Sequence, residues 1–189
     1  MNTGNYVTIL GTGNALATRC YNTCFTLHGS NGELLLVDAG GGNGILSQLD
    51  HAGIDLCSIH DMFITHTHST KELQFGFVAT LSNDKKLCCL GDEPYNPLCR
   101  QYAENADILM SEAFCLYEDR ERFLPYEKHH STAIDAARAA EELHARTLIL
   151  YHTEDRTLAS RREKYTAEAR SVFSGKVLVP DDFERIDLV

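Results

Sequence analysis

Four short apolar runs in this chain each stop on a polar residue. Leu34-Leu-Leu-Val37 runs into Asp38, and Met62-Phe-Ile-Thr65 into His66. Leu87-Cys-Cys-Leu90 runs into Gly91-Asp92, and Thr147-Leu-Ile-Leu-Tyr151 into His152. Apolar runs this short, bounded by turn residues, read as buried strands rather than helices. Loops at strand ends are where packed sheets place their chemistry.

The remaining pattern agrees with a sheet protein. Tyr6–Leu10 reads as a strand closed by Gly11-Thr-Gly-Asn14, and Thr23–Leu27 as another, ended by Gly29-Ser-Asn-Gly32. Ile45–His51 fits a short helix with Gly53 as its stop. Phe75–Leu81 and Lys86–Leu90 read as a hairpin, Pro97–Glu104 as a short helix and Ile108–Met110 as a strand. Thr132-Ala-Ile-Asp135 has the form of a capping box, followed by Ala133, Ala136, Ala137, Ala140 and Leu143 at helical spacing. A charged helix is expected from Glu154 to Phe173, then a strand at Lys176–Val179. Strands dominate the first half, and strand alternates with helix in the second. The expected class is α/β, with helices covering packed sheets.

At 189 residues the chain suits one domain spanning 1–189. With 43% hydrophobic and 23% charged residues it has the composition of a globular protein. The net charge of −10 argues against a basic nucleic-acid-binding module, although not against an enzyme that grips phosphate through a metal. No apolar run approaches the ~20 residues of a membrane span. The N-terminus also lacks the pattern of a secretory signal, so a cytoplasmic location and no membrane partner are expected. The seven cysteines include no CxxC pair and read as reduced thiols. Alternation puts adjacent Cys88 and Cys89 on opposite faces of their strand, as core.

His66 and His68 are two apart, just past a strand, so both imidazoles can reach one ion. Such a pair alone is a weak signal. Adding Asp92 and His152 at other strand ends makes a site suited to zinc. Gly11-x-Gly13 could cradle a phosphate, but reads first as a tight turn. The glycines of Asp38-Ala-Gly-Gly-Gly42 read as positive-φ positions in a loop capped by Asp38. His28, His51, His60 and His144 are expected to face solvent. Arg156, Arg161, Arg162 and Lys164, interleaved with glutamates, read as a solvated helix face rather than an RNA-binding patch.

Six motifs occur in a fixed order: Gly11-Thr-Gly-Asn14, Leu36-Val-Asp-Ala-Gly40, Phe63-Ile-Thr-His-Thr-His68, Leu90-Gly-Asp-Glu93, Ser111-Glu-Ala113 and Leu150-Tyr-His-Thr153. Together they resemble the metallo-β-lactamase superfamily, in its ribonuclease Z-like branch, over nearly the whole chain. The resemblance implies a four-layer αββα sandwich with a metal site at one edge of the two sheets. It assigns Asp38 a structural role near that site, and His66, His68, Asp92 and His152 as metal ligands. It makes Glu112 the Glu of a His-Glu-Ala-Thr motif, with Ser111 in place of the His, and His130 the proton donor to a leaving group. The implied cofactor is zinc, one ion or two, with manganese or iron as alternatives.

The departures are local. Thr70 and Lys71 stand where the family motif has Asp and His. Only 23 residues separate His68 from Asp92, where the family carries a longer segment with a third His, so a deletion near 66–75 is inferred. His68 can stand for the second or the third ligand.

The expected function is a zinc-dependent phosphodiesterase, ribonuclease Z-like, in which metal-activated water attacks phosphorus. Its substrate would be a phosphodiester, either RNA or a smaller molecule, and the acidic charge weakens the case for RNA. One alternative is a catalytically impaired binding protein of the same fold, its exposed strand surface covered by a second subunit, a homodimer among the arrangements open to it. Another is an acyl hydrolase such as a thioesterase or lactonase.

Overall fold

The computed structural model describes residues 4–66 and 74–188. The first half supplies β1 (Tyr6–Gly11), β2 (Cys24–His28), β3 (Leu34–Val37), α1 (Gly44–His51) and β4 (Asp61–Phe63). Then follow β5 (Phe77–Thr80), β6 (Lys86–Cys89), α2 (Arg100–Ala103), β7 (Ile108–Glu112), α3 (Arg120–Phe123) and α4 (Ala133–Glu142). The chain closes with β8 (Thr147–Tyr151), α5 (Leu158–Arg170), β9 (Lys176–Leu178) and β10 (Arg185–Asp187).

The strands form two five-stranded sheets, ordered β10-β1-β2-β3-β4 and β5-β6-β7-β8-β9. β6 through β9 pair in parallel, as do β3 and β4, while β10 with β1, β1 with β2 and β2 with β3 pair antiparallel. All five residues of β7 are buried, the pattern of a central parallel strand covered on both faces. The expected hairpin is present, Phe77 pairing with Cys89 and Thr80 with Lys86.

Side-chain alternation sorts the core into layers. Val7, Ile9, Phe25 and Val37 of the first sheet meet Leu87, Cys89, Ile108, Met110, Ile149 and Tyr151 of the second. The opposite face of the second sheet, with Cys88, Leu109 and Leu148, packs on Ala133, Ala136, Ala137 and Ala140 of α4 and on Tyr165 and Ala169 of α5. Alanines at this spacing let α4 lie close to the strands. Outside the first sheet, Leu49 of α1 packs on Leu10 and Leu36. The result is the expected α/β fold with the layers in the order αββα. Cys88 and Cys89 fall on opposite faces, as alternation required.

Four expectations need correction. The Met62–Thr65 run is not a buried strand: β4 covers Asp61–Phe63 at a sheet edge, with Met62 and Ile64 each 50% exposed. The helix placed from Glu154 starts at Leu158, because Glu154 accepts from Arg156 N at 2.6 Å and also binds the Thr157 hydroxyl, holding these residues in a loop. Arg161 is not on a solvated face. It is 1% exposed, and its guanidinium donates to Thr12 Oγ1 at 2.8 Å, Thr153 Oγ1 at 3.0 Å, Pro180 O at 2.7 Å and Asp181 Oδ1 at 2.7 Å. His28 is half-buried, stacked on Tyr6 at 4.0 Å, and burial pushes its imidazole down to about 4. β10 escaped the sequence reading, since only Ile186 of its three residues is apolar. The hairpin, by contrast, stands as read, and Thr132 and Asp135 do form the capping box. Among the described residues no helix is long and apolar enough to cross a membrane.

Candidate functional site

Parallel pairing brings the C-terminal ends of β3, β4, β6, β7 and β8 to one edge of the two sheets. The start of β2 joins them, since Cys24 pairs with Gly11 at the end of β1. A cavity of about 180 Å³ opens there, lined by Asp38, His66, Asp92 and His152 together with Gly13, Thr23 and Met62. Asp38, His66, Asp92 and His152, spread over 115 positions of sequence, therefore share one cavity.

Asp38 and His152 both leave their strands with positive φ, 55° and 56°. A non-glycine residue pays for this conformation, and its use at two strand ends around one cavity marks a constrained site. The Asp38 carboxylate does not cap its own loop. It accepts from Thr65 N at 2.8 Å and from the Thr65 hydroxyl at 2.7 Å, tying the end of β3 to the residue before His66. The glycine-turn reading does describe the Gly40 and Gly42 positions, at φ 70° and 64°.

Asp92 is held by what precedes it. Tyr151 Oη, fully enclosed in the core, donates to Gly91 O at 2.8 Å. The Asp92 carboxylate is 5% exposed, and its Oδ2 lies 3.2 Å from His152 Nδ1 and 3.8 Å from His66 Nδ1. Thr23 Oγ1 lies 3.0 Å from the same His152 nitrogen. Gly11 is glycine for close approach rather than for phosphate: a Cβ there would sit 2.1 Å from Asn22 O.

Behind these three stands a second pair. Glu112 ends β7 fully buried, with one oxygen accepting from Ser131 N at 2.6 Å. Its Oε2 lies 3.6 Å from His130 Nδ1, and among the described residues neither atom has a hydrogen-bond partner. Burial pushes the Glu112 carboxyl up to about 8 and the His130 imidazole down to about 4. At neutral pH the proton of this pair therefore resides on the carboxyl, and the ring is neutral. His130 is stacked between Phe114, at 4.9 Å and 5°, and His152, at 4.9 Å and 39°.

Two imidazoles and a carboxylate suit zinc and similar divalent ions. Among the described residues no group of three or more His, Cys, Asp or Glu side chains is gathered around one point as a metal site. Asp92 Oδ2 lies close to both imidazoles, 3.2 Å from His152 Nδ1 and 3.8 Å from His66 Nδ1. The donor chemistry fits an ion. His68, Thr70 and Lys71, and most of the inferred deletion at 66–75, lie outside the described residues.

Sequence reasoning missed Thr23 and Phe114 as parts of the site. Thr65 lay inside a recognised motif but was not singled out. Thr23 and Phe114 carry no signal of their own, because both reach the site only through tertiary packing.

The sequence profile of the anti-Pycsar protein Apyc1 family matches residues 6–70. Ribonuclease Z from Bacillus thuringiensis (strain Al Hakam) is 31% identical over 105 residues, covering 56% of this chain and 34% of that protein. The match thus spans about one third of the relative's length. Among solved structures, the short form of human tRNase Z superposes with a TM-score of 0.75 at 19% identity, covering 97% of this chain and 99% of that one. The metallo-β-lactamase fold protein YhfI from Bacillus subtilis gives a TM-score of 0.73 at 18% identity, with coverages of 97% and 99%. The chain has the metallo-β-lactamase fold, and over just over half its length its sequence is similar to ribonuclease Z.

Proposed function

We propose that this chain is a divalent-metal-dependent hydrolase acting on a phosphodiester, either RNA or a smaller molecule. The observation that carries the reading is the buried Asp92 carboxylate set between His66 and His152, with the Glu112–His130 pair directly behind. His66, Asp92, His152 and, from the sequence motif, His68 would hold the ion, with zinc the best match to the donors. When bound, such an ion polarises a phosphoryl oxygen and makes water a nucleophile near neutral pH.

The protein's own groups supply the rest. Glu112, protonated at neutral pH, stores the proton that a leaving oxygen needs. His130, 3.6 Å from Glu112 and stacked on His152, lies between that store and the ion site and would deliver it. Phe114 holds the His130 ring in place by stacking. Asp38 and Thr65 hold the strand end that carries His66.

The test has two parts. Elemental analysis should find one or two divalent ions per chain. Hydrolysis of bis-p-nitrophenyl phosphate should be lost in His66→Ala, while a lactone substrate stays intact. No bound ion after reconstitution would defeat the reading. A second reading, a non-catalytic binding protein, is favoured by the lack of a gathered three-ligand group among the described residues. Loaded protein that turns over none of the substrates would establish it.

A further inference from the structure

The candidate ligands His66 and His152 share a pattern: each imidazole Nδ1 faces a threonine hydroxyl that has already given its proton away. Thr23 Oγ1 donates to Gly13 O at 3.0 Å and lies 3.0 Å from His152 Nδ1. A carbonyl oxygen has no proton to offer, so while the Thr23 hydroxyl proton lies on Gly13 O, the hydroxyl accepts from His152. Thr65 Oγ1 likewise donates to Asp38 Oδ2 at 2.7 Å and lies 2.9 Å from His66 Nδ1. Again a carboxylate takes the proton, and the hydroxyl is left to accept.

We propose that Thr23 and Thr65 are positioning residues that set the tautomer of the two imidazoles, holding His152 and His66 with the proton on Nδ1 and the lone pair on Nε2. The inference rests on the reading that an ion binds at this site, where it explains how two neutral rings are prepared as ligands before any ion arrives. A metal ligand must offer a lone pair, and the hydrogen bond at the other ring nitrogen decides which one does. Asp38 and the Gly13 carbonyl are the anchors of the two relays. They act through a threonine rather than on the ring itself, so each relay depends on one methyl-bearing hydroxyl.

The primary measurement is imidazole ¹⁵N NMR of the metal-free full chain at neutral pH. The expected result is pyrrole-type Nδ1 and pyridine-type Nε2 for both His66 and His152. Pyridine-type Nδ1 in His152 would overturn the proposal. The second measurement is cobalt(II) affinity of wild type, Thr23→Val and Thr23→Ser. Thr23→Val keeps the volume and removes the hydroxyl, and should weaken cobalt by roughly 10-fold or more, as loss of a ligand's hydrogen-bond partner does. Thr23→Ser should restore wild-type affinity, which a purely structural role for the threonine methyl would not. Equal cobalt affinity in wild type and Thr23→Val would overturn the relay. A protein that binds no cobalt but shows the expected tautomers would leave the proposal standing and defeat the metal reading instead.

Discussion

His152 and His66 face the same carboxylate from the two sheets, and their settings are opposite. His152 ends a β8 whose residues Leu148, Ile149, Leu150 and Tyr151 are all 3% exposed or less, and the ring itself is 5% exposed. It stacks on His130 and lies 3.2 Å from Asp92. His66 follows β4, the edge strand of the other sheet, where Met62 and Ile64 are each 50% exposed. Its contact with Asp92 is longer, at 3.8 Å. The second sheet, with α4 and α5 at its back, builds its part of the site into the core. The first sheet brings its part to the edge and steadies it through Asp38 and Thr65. One imidazole is therefore placed by packing and the other by local hydrogen bonds.

The largest expected effect lies where the two sheets meet. Asp92→Ala should lower divalent-ion affinity by more than about 100-fold, beyond the range for loss of a ligand's supporting partner. Isothermal titration with zinc checks this, and an affinity within about 10-fold of wild type would show that the sheets do not share an ion through this residue.

Next comes the buried strap of the second half. Arg161→Met leaves Thr12, Thr153 and Pro180 O without their donor and should cost about 3 kcal/mol. Arg162 makes ion pairs with Asp181 and Glu184 at the surface, and Arg162→Ala should cost less than about 1 kcal/mol. Urea unfolding of both variants ranks them, and equal costs would contradict the burial argument.

The histidines themselves sharpen the contrast. In metal-free protein His152→Ala should lower stability by about 2 kcal/mol, since it opens a cavity beside His130. His66→Ala should stay within about 0.5 kcal/mol of wild type, because its ring is part-exposed at the sheet edge. Both should lose ion binding. The reverse order of stabilities would place the rigid half of the site on the first sheet.

The smallest effect is a change of slope with pH. Glu112 titrates near 4.5 when unfolded and about 8 when folded, so between these values the folded state binds the extra proton. Its contribution to stability is complete below pH 4.5 and is lost as pH rises towards 8. His130 has the opposite sign: its folded value of about 4 against 6.5 makes stability rise with pH across that interval. Between 4.5 and 6.5 the two slopes oppose each other, so Glu112→Gln should flatten the decline above pH 6.5 and unmask a rise below it. Thermal melts of metal-free protein from pH 4 to 9 read this directly, and an unchanged decline would remove Glu112 as its source.

The α/β class and many of the buried faces were legible because burial imposes a period on the sequence, while the αββα layer order came from the motif resemblance. The continuous apolar runs of β3 and β8, the alanine spacing of α4 and the split of Cys88 from Cys89 each follow from which face must avoid water. β10 was not legible, since a three-residue edge strand with one apolar residue carries almost no periodic signal. Arg161 was misread for the related reason that charge alone says nothing about burial. Its guanidinium is satisfied by Thr12 and Thr153, which are 149 and 8 positions away.

By itself, then, the sequence determined the fold class, the strand ends that carry Asp38, His66, Asp92 and His152, and the helix cap at Thr132. These rest on local periodicity and on residue types at turns, which a linear reading captures. Only the tertiary structure decided that Asp92 stands between two imidazoles, that Glu112 and His130 form a buried pair with the proton on the carboxyl, and that Thr23 faces His152. Those depend on how the two sheets pack face to face and bring their strand ends to one edge. Desolvation and hydrogen-bond direction arise only when residues more than 100 positions apart, such as Thr23 and His152, are brought within 3.0 Å.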